Sequence, residues 1–155
     1  MDVKKLFLIL LSLLLLCGCA RETPNPEDVI ETEYYTVTMP QAWLDNCTYT
    51  FEESTYGTTI VTFYENTSYM AGCGGKICSI QLIPVQVDWA SVEDASLLCS
   101  LQTPDGLFHI IAIFPWETQC NKETYETYEA MQKLRQDLFH SITPKDGCKL
   151  NLEGY

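Results

Sequence analysis

Residues 96–114 read SLLCSLQ, then TPDG, then LFHIIAIF, and this stretch decides the fold class. Two apolar runs, from Ser96 to Gln102 and from Leu107 to Phe114, flank a turn in which Pro104 presets the first dihedral and Gly106 supplies a positive one. The direct reading is a pair of neighbouring antiparallel strands. Past Pro115 and Trp116 the period changes. Tyr125, Tyr128, Met131, Leu134, Leu138 and Ile142 recur at three- and four-residue spacing, which predicts one amphipathic helix. Asn121 or Thr118 can cap it, and Pro144 follows its end.

Upstream of the hairpin, Lys76 to Val87 is a long apolar run that reads as a strand bent or ended near Pro84. Cys47 to Ser54 alternates, with Tyr49 and Phe51 on one face, and Tyr56-Gly57 turns the chain into a second strand, Thr59 to Glu65. Asn66 to Gly75 is a glycine-rich loop, and Tyr34 to Met39 is a β-rich run closed by Pro40. Five or six strands with one C-terminal helix predict an α+β fold, a largely antiparallel sheet packed against the helix stripe.

The N-terminus carries a different signal. Lys4 and Lys5 precede an apolar run from Leu6 to Leu16, shorter than the roughly 20 residues needed to span a bilayer, so residues 1–18 read as a signal peptide. Leu16-Cys17-Gly18-Cys19 resembles the lipobox of bacterial lipoproteins: an aliphatic residue, a tolerant position, a small residue at the cleavage site, then the cysteine that takes the lipid. Cys19 is the expected acceptor, and a diacylglyceryl group supplies the two acyl chains that stable anchoring requires. Residues 19–33 hold Pro24, Pro26 and five acids among few apolar side chains and read as a flexible acidic tether, leaving 34–155 as a single domain. The implied location is the outer face of the bacterial cytoplasmic membrane.

Of 155 residues, 46% are hydrophobic and 19% charged, too apolar for a disordered chain. Acids outnumber Lys plus Arg by 21 to 9, giving a formal charge of -12, which argues against a nucleic-acid partner held through a basic patch. The membrane contact is expected through the lipid, and the partner is an envelope protein or a surface ligand.

At the level of motifs, the chain resembles small lipoproteins of Gram-positive bacteria whose domain opens on an aromatic strand and a Pro-x-x-Trp element. Those features are Tyr34 to Met39 and Pro40-Gln41-Ala42-Trp43 here. The similarity continues through Val61-Thr62-Phe63-Tyr64, Gly74-Gly75-Lys76 and the strand after it, the proline after Phe114, and Tyr128-x-x-Met131 to Ser141-Ile142. The same order is similar to the Mog1/PsbP-like fold. That resemblance implies binding and assembly roles more often than catalysis, and it brings no cofactor.

Six cysteines remain beyond the lipobox: Cys47, Cys73, Cys78, Cys99, Cys120 and Cys148. An even number in an exported domain predicts three disulfides, with fifteen connectivities open. Each would stabilise by about 2–4 kcal/mol. An envelope enzyme, thiol-based or metal-dependent, is the competing reading. It lacks a Cys-x-x-Cys at a helix start, zinc-knuckle spacing and a Gly-x-Ser-x-Gly elbow. His109 lies in an apolar strand and His140 near the end of the helix, where structural roles suffice. Gly72-Cys73-Gly74-Gly75-Lys76 precedes a strand, where a phosphate loop would precede a helix, and reads as a turn. Among the aromatic side chains, Trp89 and Trp116 fall in expected loops and are the better candidates for a stacking surface.

Overall fold

The expected hairpin forms the middle of the computed structural model, which describes residues 28–151. Strands β6 (Ala95–Thr103) and β7 (Gly106–Ile113) pair antiparallel, Thr103 lying opposite Gly106. The Thr103 hydroxyl closes the turn, donating to the Gly106 carbonyl and accepting from the Asp105 amide, each at 3.1 Å. β3 (Cys47–Glu53), β4 (Thr59–Glu65), β5 (Lys76–Pro84) and β9 (Lys149–Asn151) complete a six-stranded sheet in the order β3-β4-β5-β7-β6-β9. Every neighbouring pair is antiparallel, so the chain is α+β with a largely antiparallel sheet.

That order makes β5 and β6 parallel to each other with β7 between them. Residues 85–94 must therefore travel back along the sheet, and the single 3-10 turn Trp89–Ser91 on this link packs against β6. β5 is buried on both faces, one of which carries the polar Ser79 and Gln81 beside Ile83. Cys78, Ile80 and Leu82 belong to the main core, whereas Ile83 is buried outside it, together with Ile111 of β7. Val85, Val87, Trp89 and Val92 on the returning link are half-buried.

The expected single helix is two. α2 (Tyr125–Lys133) and α3 (Arg135–His140) meet at Leu134, whose dihedrals of -92° and 5° leave the α region. The tighter bonds from the Leu134 amide to the Met131 carbonyl and from the Asp137 amide to the Leu134 carbonyl, both 3.1 Å, mark the break. It reorients α3 without ending the apolar stripe: Tyr128, Met131, Leu138 and Phe139 are all buried, and Phe139 meets Phe114 edge-on at 6.2 Å. The Asn121 carboxamide accepts from the Glu123 and Thr124 amides at 3.0 Å, making it the cap of the turn that leads into α2. In the expected loop 66–75, Asn66–Met70 forms a short helix, α1.

The domain starts earlier than its composition implies. β1 (Val29–Glu31) lies within the stretch read as tether and pairs with β2 (Tyr35–Thr38), which in turn pairs with β8 (Thr143–Pro144) to form a second, three-stranded sheet. Ile30 sits opposite Val37 and is only 2% exposed. The surrounding acids hid it: a three-residue strand needs only one inward side chain, and Glu31 points out to Lys145 at 3.0 Å. Replacing Ile30 with alanine is expected to cost roughly 2–4 kcal/mol, read as a lower urea midpoint at unchanged slope. An unchanged midpoint would return residues 29–31 to the tether.

Candidate functional site

Glu65, at the end of β4, is where three segments meet. Its carboxylate caps α1, accepting from the Thr67 amide at 3.0 Å and the Ser68 amide at 2.7 Å. Burial alone would raise its pKa, but the hydrogen bonds from Ser68 and Thr67 outweigh it and hold the carboxyl below its ordinary value. The Glu65 amide donates to the Gly75 carbonyl at 2.7 Å. Gly75 has φ +79°, and a Cβ there would lie 2.7 Å from the Glu65 carbonyl oxygen, so glycine is required on both counts. Its amide donates to the Gln119 carbonyl at 2.5 Å. The stretch that superficially looks like a phosphate loop is thus a turn whose last amide is already used.

Two further bonds draw α2 onto the same point. The Ser68 and Thr124 hydroxyls are 2.7 Å apart, and the Tyr128 hydroxyl donates to the Lys76 carbonyl at 2.8 Å while accepting from the Gln119 amide at 3.4 Å.

All six cysteines of the domain carry free thiols in the structure, where three bridges were expected. Sheet geometry gives the reason for those on strands. Cys78 and Cys99 lie on β5 and β6, two strand spacings apart laterally and four residues apart in register, roughly 16 Å. Cys47 and Cys78 have the whole of β4 between them, about 9.6 Å across, beyond the roughly 7 Å a bridge tolerates. Burial pushes the thiols of Cys47 and Cys78 up to about 12 and that of Cys99 up to about 11. These three are protonated at neutral pH and behave as small apolar side chains, neither nucleophiles nor metal ligands. Among the described residues no group of three His, Cys, Asp or Glu is placed to hold a metal ion.

Ser100 and His109 form a cross-strand pair, Oγ to Nδ1 at 3.1 Å. Among the described hydrogen bonds none brings a carboxylate to the ring, so nucleophile and base stand without an orienting acid. Of the two candidate tryptophans, Trp89 is half-buried on the returning link and belongs to its packing, whereas Trp116 is 79% exposed. Trp43, from the Pro-x-x-Trp element, is fully buried and meets Phe63 edge-on at 5.9 Å. Cys19 lies outside the described residues.

Sequence reasoning missed one concavity. A groove of about 430 Å³ runs between α3 and β6, floored by Leu97, Leu98 and Cys99 and walled by Phe114, Phe139 and Ile142. Gln136 and His140 stand at its polar side, and the Arg135 guanidinium lies 4.5 Å from the Phe114 ring centre, a cation–π contact that fixes one wall. A register shift between Leu97 and Cys99 breaks the inward–outward alternation there. Two adjacent leucines in an otherwise alternating strand were the available signal. β9 pairs only with Ser100 to Gln102, so it stops short of this part of β6.

No protein-family model matches the chain, and comparison with curated proteins and with solved structures returned no match. Among the described residues no helix is long and apolar enough to cross a membrane.

The cap at Glu65 has a pH signature. Folding lowers the carboxyl below its unfolded value of about 4.3, so its stabilisation is fully present above that pH and is lost as pH falls through the folded value. Glu65→Gln is expected to cost about 1 kcal/mol at pH 7. The gap between variant and parent should narrow as urea midpoints are followed down to pH 3, and a constant gap would contradict the assignment.

Proposed function

We propose that this chain is a lipid-anchored extracytoplasmic binding or adaptor domain of the bacterial cell envelope, with Cys19 as the lipid-bearing residue and a Mog1/PsbP-like domain behind it. The observation that carries the reading is the apolar groove between α3 and β6, a concave and mostly apolar surface of the kind ligands and partner segments occupy. The lipobox upstream supplies the location, and the exposed Trp116 supplies a second contact residue on the surface. The three buried thiols argue for a binding role over thiol chemistry. The Mog1/PsbP-like assignment draws support from a largely antiparallel sheet that opens near a Pro-x-x-Trp element and carries helices at its C-terminal end.

Two measurements test this. Cells fed a clickable palmitate analogue should label the parent protein and leave Cys19→Ala unlabelled. A photo-cross-linking residue at Leu98, in the groove, should yield a discrete adduct on intact cells, whereas the same residue at Glu52, on the opposite edge strand, should not. Equal labelling of the parent and Cys19→Ala removes the anchor, and adducts from both positions or neither remove the groove as the binding surface. Trp116→Ala should weaken the adduct while moving stability by no more than about 0.5 kcal/mol.

A further inference from the structure

Cys73 and Cys120 are the chain neighbours of two residues in contact. A Cβ built on Gly74 would lie 3.1 Å from the Gln119 Cβ, and the Gly75 amide bonds the Gln119 carbonyl, so the backbone around residue 74 runs directly against that around residue 119. Cys73 is exposed and Cys120 is half-buried beside this contact. The other cysteines are placed less well. Cys47 lies across β4, with Glu65 and Gly75 between it and Gln119, Cys78 and Cys99 are fixed on separate strands of the sheet, and Cys148 lies beside the Pro104–Gly106 turn, at the Pro84 end of β5, whereas Gly75 precedes its Lys76 end. Eight residues of strand, roughly 27 Å, separate those ends.

We infer that Cys73 and Cys120 form a disulfide that joins the glycine turn before β5 to the segment leading into α2. In the thiol form the Cys73 side chain lies on the surface, its Sγ 3.9 Å from the Ala71 carbonyl oxygen, so closing the bridge requires that side chain to rotate toward Cys120. The chemistry needs a disulfide oxidant, of the kind an extracytoplasmic compartment supplies. The exposed Cys73 thiolate attacks one oxidant sulfur, breaking its S–S bond and releasing one thiol. Cys120 then attacks the Cys73 sulfur of the mixed disulfide and releases the second thiol. Two protein thiols lose two electrons and two protons, and the oxidant gains both. The bridge would close a long loop that holds β5, β6 and β7, the circumstance in which cross-linking restricts the unfolded chain most.

The inference does not rest on the lipid anchor, so purified full-length chain is the material for its test. The protein is equilibrated with glutathione disulfide, blocked with iodoacetamide under denaturing conditions and digested without reductant. Peptide mass mapping should find the Cys73 and Cys120 peptides joined, two hydrogen masses light, with Cys47, Cys78, Cys99 and Cys148 alkylated. Reduction should lower the melting temperature of the oxidised parent by roughly 10 °C and leave Cys73→Ser unmoved. Under oxidising conditions Cys73→Ser, Cys120→Ser and the double variant should melt together, because each removes the same bond. Cys73 and Cys120 alkylated separately, or Cys73 joined to any other cysteine, would overturn the assignment. The mapping applies to the parent protein, so it decides even if a variant folds poorly.

Discussion

A strand buried on both faces has to be covered twice, and β5 imposes that requirement on the rest of the molecule. One cover is the main core, built from β2, the α2–α3 stripe and Trp43. The returning link 85–94 exists because β7 is inserted between two parallel strands, and its 3-10 turn packs on β6. Antiparallel sheets commonly leave one face wet, and the departure here follows from the strand order. The start of β5 is held as firmly as its middle: the Lys76 carbonyl receives the Tyr128 hydroxyl, and the preceding Gly75 is locked between Glu65 and Gln119.

The parts of this architecture legible in the sequence are those that local chemistry decides. Thr103-Pro104-Asp105-Gly106 specifies its own turn, and the alternation of Cys47 to Glu53 with Thr59 to Glu65 specifies a hairpin. The helix stripe was legible too, but not its break, because Leu134 continues the apolar period and nothing such as Pro or Gly marks the site. Strand order is set by contacts between residues far apart in the chain, so the pairing of β5 with β7 and of β6 with β9 left no local trace. β1 stayed hidden because its single inward side chain, Ile30, stands among acids. The groove is assembled from β6, Phe114, α3, the turn beyond it and Leu150 of β9, five segments that no spacing rule connects.

The cysteines illustrate the same division. Their number implied an oxidising compartment, and their placement separates five of the six into two kinds, with Cys148 half-buried beside the Pro104 turn. Cys47, Cys78 and Cys99 are drawn into the sheet and its core, where burial keeps the thiol protonated. Cys73 is on the surface, and Cys120 lies at the edge of the core, its pKa raised by burial and by the neighbouring Glu65 carboxylate. A count of cysteines treats these as equivalent, whereas the sheet makes only the second kind available for exchange chemistry.

Moving the start of the domain from residue 34 to Val29 shortens the leash. With the lipid on Cys19, nine residues would separate the anchor from Val29, and the ten steps of chain between them reach at most about 35 Å. A folded body of this size has a diameter of roughly the same length. Under the proposed anchor the whole molecule would be confined to a shell about two body widths deep above the bilayer. The outer face of a thick cell wall would then be beyond it, and whatever meets the groove between α3 and β6 would have to arrive at, or reside in, the membrane plane.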